Sequence, residues 1–161
     1  MSDVNAPATA TGSRAPVCLE DLAPGQRTIT ASHALDAAQI KEFAAAFDPQ
    51  PFHLDEAAAA DTLFGGLAAS GWHTAALTMR LLVTSGPALA GGFLGAGGEV
   101  SWPRPTRPGD VLHVESEVLA VTPSRSKPDR GTATIRSETK NQRGEVVQVL
   151  IAKLIVPRRP A

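Results

Sequence analysis

The chain predicts an α+β fold, a curled antiparallel β-sheet wrapped around one central buried α-helix. Three observations carry that reading. One long segment, from Gly71 to about Thr84, is apolar or small at almost every position, the pattern of a helix buried on several sides. The second half then changes period, with four β-rich runs over 93–102, 110–121, 131–140 and 145–156. The connections between those runs are short and built from turn residues, so neighbouring strands are expected to run antiparallel. A lone buried helix needs a surface to bury it, and the inner face of such a sheet supplies one.

The elements follow in order. Residues 1–15 are rich in Ala, Thr, Ser and Gly and read as a disordered tail, leaving 16–161 as a single domain. Pro24-Gly25 marks a turn, and 26–32, with Thr28, Ile29 and Thr30, reads as a short strand. Asp36 is an N-cap with Gln39 as its capping-box partner. From Ala37 to Phe47 the apolar residues Ile40, Phe43, Ala44 and Phe47 recur at helical spacing. Pro49 and Pro51 then bias Asp48 and Gln50 away from helical backbone, so 48–53 is expected as a stiffened loop rather than a helix. The Ala-rich stretch 55–62 reads as one or two helical turns, broken at Gly65-Gly66. Ser70 caps the long helix, whose buried face is expected to hold Trp72, Ala75, Ala76, Met79, Leu82 and Val83. Asn141-Gln142-Arg143-Gly144 is a hairpin turn between the last two strands. A small curled sheet has no second layer over its outer parts, so dimerisation along an edge is expected.

Composition narrows the function. With 161 residues, 43% of them hydrophobic, one globular core is affordable without staples. A formal net charge of -1 offers no basic surplus for nucleic acid, and the absence of Tyr argues against a base-stacking platform. The lone Cys18 excludes an intramolecular disulfide framework, and no metal-ligand spacing is present. No run approaches the ~18 apolar residues of a membrane span, nor does the N-terminus carry the apolar segment of a secretory signal. A cytoplasmic protein is expected, with no membrane partner.

The chemical signal lies in Phe47-Asp48-Pro49-Gln50-Pro51-Phe52-His53-Leu54-Asp55. It holds a carboxylate and an imidazole five residues apart on stiffened backbone, which suits general acid–base chemistry. Other candidates read as structure. His73 is expected to be buried and hydrogen-bonded, and His33 and His113 structural or exposed. Gly91-Gly92 and Gly95 to Gly98 lack the context of a dinucleotide fingerprint and read as a loop at a pocket entrance. Arg104, Arg107, Arg125 and Lys127 read as solvated loop charges ahead of phosphate partners.

The same segment resembles the loop of the MaoC-like dehydratases, or R-specific enoyl-CoA hydratases. That family's pattern is Asp, any, Asn, Pro, any, His, followed by a His-Gly that opens the central helix. Here Gln50 stands at the Asn position and Ser70 at the second His, before Gly71. Phe64-Gly65-Gly66-Leu67 and Pro108-Gly109-Asp110 are also similar, and the resemblance spans about 20–156. It implies a hotdog fold, usually dimeric or an oligomer of dimers. It also implies an acyl-CoA thioester substrate, hydrated from trans-2-enoyl-CoA to (R)-3-hydroxyacyl-CoA without metal or cofactor. By the same resemblance Asp48 and His53 activate water and the Gly71 amide receives the developing oxyanion. Gln50, Phe52, Ser70 and Trp72 would contact substrate. Two alternatives stay open: a thioesterase on the same fold, and a non-catalytic acyl-thioester-binding dimerisation module, which the Gln50 and Ser70 departures keep in play.

Overall fold

The computed structural model describes residues 14–161, so the expected tail lies outside the described residues apart from Arg14 and Ala15. A 3-10 turn, Leu19–Asp21, leads into β1 (Arg27–Ile29) and β2 (His33–Ala34). Three helices follow, α1 (Ala37–Phe47), α2 (Pro51–Leu54) and α3 (Glu56–Ala60), and then the long α4 (Gly71–Ser85). The chain ends in β3 (Leu94–Ser101), β4 (Val111–Pro123), β5 (Arg130–Lys140) and β6 (Val146–Pro157). The pairings between these strands are all antiparallel, in the order β1-β4-β5-β6-β3, with β2 also on β4. This is the curled sheet and central helix of the hotdog fold. No helix among the described residues is long and apolar enough to cross a membrane.

Local chemistry sets most boundaries. The Asp36 carboxylate accepts the Gln39 amide N–H at 2.8 Å, while the Gln39 side chain accepts the Asp36 N–H at 3.4 Å, a complete capping box. At the other end α1 stops at Asp48, the residue that Pro49 excludes from helical backbone. Ser70 caps α4 by accepting the Trp72 N–H at 3.2 Å. The core joins Leu77, Leu81 and Leu82 of α4 to Ile40 of α1 and to Leu112, Val114 and Val147 of the sheet.

Four expectations are corrected. The loop 48–53 is extended only as far as Gln50. From Pro51 a single helical turn carries His53, because proline at the first helical position already has the required φ and needs no donor. The buried face of α4 is not the one expected. His73, Thr74, Leu77, Thr78, Leu81 and Leu82 point inward, while Trp72, Met79 and Val83 are 61%, 41% and 59% exposed. In a helix apolar on every side, periodicity does not choose the face. The threonines turn inward because partners await them: Thr74 Oγ1 donates to Thr106 Oγ1 at 3.0 Å, and Thr78 Oγ1 to the Thr74 carbonyl at 2.8 Å. Gly95 to Gly98 form no pocket loop. They lie in edge strand β3, where a Cβ on Gly98 would come within 2.5 Å of the Ile151 carbonyl oxygen. Finally, Arg107 is not a solvated charge. Its guanidinium donates to the carbonyls of Phe64, Gly66 and Leu67, tying down a turn whose backbone has no ladder partner.

The capping box gives a stability test. Asp36→Ala should cost about 1 kcal/mol. For a chain of this size that lowers Tm by roughly 2–4 °C. A thermal melt superimposable on the wild type would show that the box does not hold α1.

Candidate active site

Three chain ends converge. Asp48 closes α1, His53 sits on the single turn α2, and Ser70-Gly71 opens α4. Asp48, His53 and Gly71, together with Phe52, Phe64, Trp72, Trp102 and Arg104, line a cavity of about 420 Å³, and Ser70 lies buried behind it.

His53 is buried, and its Nδ1 lies 2.6 Å from the Ala68 carbonyl oxygen. A carbonyl only accepts, so Nδ1 carries a hydrogen, and Nε2 is the nitrogen that gains or loses a proton. That nitrogen faces Asp48 Oδ2 at 3.4 Å. Two acceptors at this separation need a proton or a shared water between them. Phe52 meets the imidazole edge-on, with ring centroids 4.5 Å apart, and Phe64 closes the far side at 5.9 Å.

Asp48 is clamped from both sides. Ser70 Oγ donates to Oδ2 at 2.7 Å, and the Gln50 amide donates to Oδ1 at 2.7 Å. The Ser70 hydroxyl above all, then the Gln50 amide and the nearby His53, hold the Asp48 carboxyl below the usual carboxylate range, against an opposing push from partial burial. Ser70 is 1% exposed, and its hydroxyl is committed to Asp48 and the Trp72 N–H. In this arrangement the Gln50 and Ser70 side chains both turn to Asp48.

Gly71 contributes backbone. Its N–H belongs to the first turn of α4, where no intrahelical carbonyl is available and the helix dipole favours negative charge. Its lack of a side chain is enforced, since a Cβ would fall 2.6–2.9 Å from ring atoms of Trp102. Trp72 is exposed and meets Trp102 edge-on, centroids 5.4 Å apart.

Trp102, Phe64 and the Ala68 carbonyl are the parts of the site that sequence reasoning missed. Pro103, directly after Trp102 at the end of β3, was the one available hint. His73 stays outside the site. It stacks on Phe43 with centroids 4.5 Å apart and planes 3° from parallel, and its Nδ1 has no partner among the described residues. It is therefore buried as expected but not hydrogen-bonded at that atom. Burial, and to a lesser degree the charge of His33, pushes its pKa down and keeps it neutral. His33 pairs with Gln39 and His113 with Glu115, both remote from the cavity. A second cavity, about 370 Å³ and mostly apolar, lies between the C-terminal half of α4 and the sheet without a paired acid and base.

The MaoC like domain matches residues 20–141. The fold is similar to that of a MaoC-like dehydratase from Rhodospirillum rubrum, with 67% identity, a TM-score of 0.88, and 90% of this chain and 99% of that one covered. R-hydratase PhaJ1 from Pseudomonas aeruginosa superimposes with a TM-score of 0.71 at 29% identity, covering 89% of this chain and 88% of that one. The uncharacterized protein YdeM of Bacillus subtilis is 34% identical over 128 residues, 78% of this chain and 88% of its own. With the family match running from the first turn to the end of β5, the chain belongs to the MaoC-like domain family.

Proposed function

We propose that the protein is a hydro-lyase that adds water to trans-2-enoyl-CoA to give (R)-3-hydroxyacyl-CoA, and dehydrates it in reverse. The observation that carries this reading is the Asp48–His53 pair, fixed in orientation beside a free helix-start amide in one cavity. The likeness to an R-hydratase supports the same chemistry.

In the forward direction a water bridges Nε2 and Oδ2 from the cavity side, donating a hydrogen to each. Its oxygen attacks the β-carbon, forming the C–O bond as the π electrons move onto the thioester carbonyl. The Gly71 N–H stabilises the resulting enolate oxygen. The proton lost from water passes to the Asp48–His53 pair, and a proton from the pair is delivered to the α-carbon as the carbonyl re-forms. The two transfers balance, so no metal or redox group is needed. Because Ala68 fixes the His53 tautomer, only Nε2 exchanges protons with the substrate. Delivery from one wall of the cavity gives one configuration at the β-carbon. Phe52 and Trp72 line the remaining surface against the substrate.

The protein also works as a dimer in this reading. Among the described residues β3 is bonded only on its β6 side, and Trp72, Met79 and Val83 form an exposed apolar row on α4. Open edges and apolar rows of this kind are covered in stable proteins.

Three outcomes follow. Wild-type protein should remove the conjugated-thioester absorbance of crotonyl-CoA without releasing thiol, and Asp48→Asn or His53→Ala should each cut kcat by ~10²–10⁴-fold with the melt unchanged. Thiol release would point to a thioesterase instead, and binding without turnover to a non-catalytic module. Ser70→Ala removes the main donor to Asp48, so the Asp48 pKa rises toward its ordinary value. The acid limb of the pH–rate profile should then move to higher pH, whereas a purely structural serine would leave the limb in place. Light scattering should give twice the chain mass, falling to a monomer in Met79→Glu/Val83→Glu; a wild-type monomer would contradict the dimer.

A further inference from the structure

Trp102, 40% exposed, lines the candidate site on one side and bonds to the buried interior on the other. Pro103 biases it to extended backbone at the end of β3. Its indole N–H donates to Gln148 Oε1 at 2.9 Å, and Gln148 is wholly buried. The Gln148 amide donates in turn to Thr78 Oγ1 at 3.0 Å, and Thr78 shares a 2.6 Å bond with Thr139. Thr78 spends its own hydrogen on the Thr74 carbonyl, so Thr139 is the donor in that pair. The indole N–H, one Gln148 amide hydrogen and both threonine hydroxyl hydrogens thus each have an acceptor in this chain. Swinging the indole away would leave the buried Gln148 carbonyl oxygen unpaired, so the ring is a fixed wall and not a gate.

The wall lies where the acyl group must go. Trp102 ring atoms fill the position of a Gly71 side chain, next to the amide that receives the thioester oxygen. The charged nucleotide end of the carrier needs solvent, so the acyl end points inward, to the indole. Behind the indole stand Gln148, Thr78 and Thr139, not a hydrocarbon lining. An alkyl tail driven past Trp102 would displace the ring and break the chain of hydrogen bonds. A cavity of about 420 Å³ is also near the small end for ligand sites, and the pantetheine arm must share it.

We infer that Trp102 sets the acyl capacity of the site, restricting substrates to short-chain acyl thioesters. This rests on the hydratase reading for its reaction but is tested by binding alone. Calorimetry with butyryl-CoA and decanoyl-CoA, saturated esters that cannot be hydrated, separates the two questions. The wild type should bind butyryl-CoA more tightly by about tenfold or more, against the usual gain from added methylenes. Trp102→Ala should erase or reverse that order, and Trp102→Leu, a milder change, should narrow it. Equal affinity of the wild type for both esters, binding of neither, or an order unchanged in both variants would overturn the inference. Discrimination in binding together with no turnover of crotonyl-CoA would remove the hydratase reading and leave the wall in place.

Discussion

The hydroxyl of Ser70 is the point on which the site depends. It accepts the Trp72 N–H, so it starts α4, and it donates to Asp48 Oδ2, so it aims the acid. One side chain thereby fixes the Asp48 carboxylate to the N-terminus of the central helix, where the Gly71 amide also lies. A hydrogen bond to an ionised group is stronger than one between neutral partners, and here it is largely shielded from water. A longer ring at position 70 could not make both bonds in the same place without moving Asp48. Serine at the family's histidine position is thus part of how this chain orients its carboxylate, and Gln50 supplies the matching donor on the other oxygen.

Around that point the backbone is arranged to keep the pair still. The Pro49–Pro51 segment turns the chain sharply enough for the end of α1 and the single turn α2 to face one another. The Ala68 carbonyl then locks the imidazole. Arg107 pins the glycine turn just upstream of Ala68, so the residue that sets the histidine tautomer is itself tethered. General acid–base chemistry benefits from such rigidity because a misplaced proton carrier loses most of its effect. The interior behind the site is polar, with Thr74 and Thr78 of α4 paired to Thr106, Thr139 and Gln148. Satisfied buried polar chains specify one arrangement, whereas apolar packing tolerates several.

The two faces of α4 divide the labour. The inward face carries leucines for the core and threonines for the polar chain; the outward face carries an apolar row of Trp72, Met79 and Val83. Neither face is conventionally amphipathic, which is why the helix is apolar nearly all round in sequence. Such a helix is consistent with burial first against its own sheet and then against a second copy.

The sequence by itself determined what depends on near neighbours. The Asp36–Gln39 box, the Ser70 cap, the proline stop after α1, the hairpin at Asn141 to Gly144 and the four long strands are all set within a few residues of chain. The Asp48–His53 pair was legible for the same reason, being five residues apart on constrained backbone. Tertiary structure decided the rest. It chose which face of α4 turns inward, gave Arg107 its carbonyls, set the edge glycines into β3 and left His73 Nδ1 without a partner. It joined Ser70 to Asp48 across 22 residues and Trp102 to Gln148 across 46. Hydrophobic periodicity reports only what lies one or two turns away, and in α4 it was nearly uniform. Pairings at long range were fixed only when the sheet closed and each buried polar atom had to find a partner.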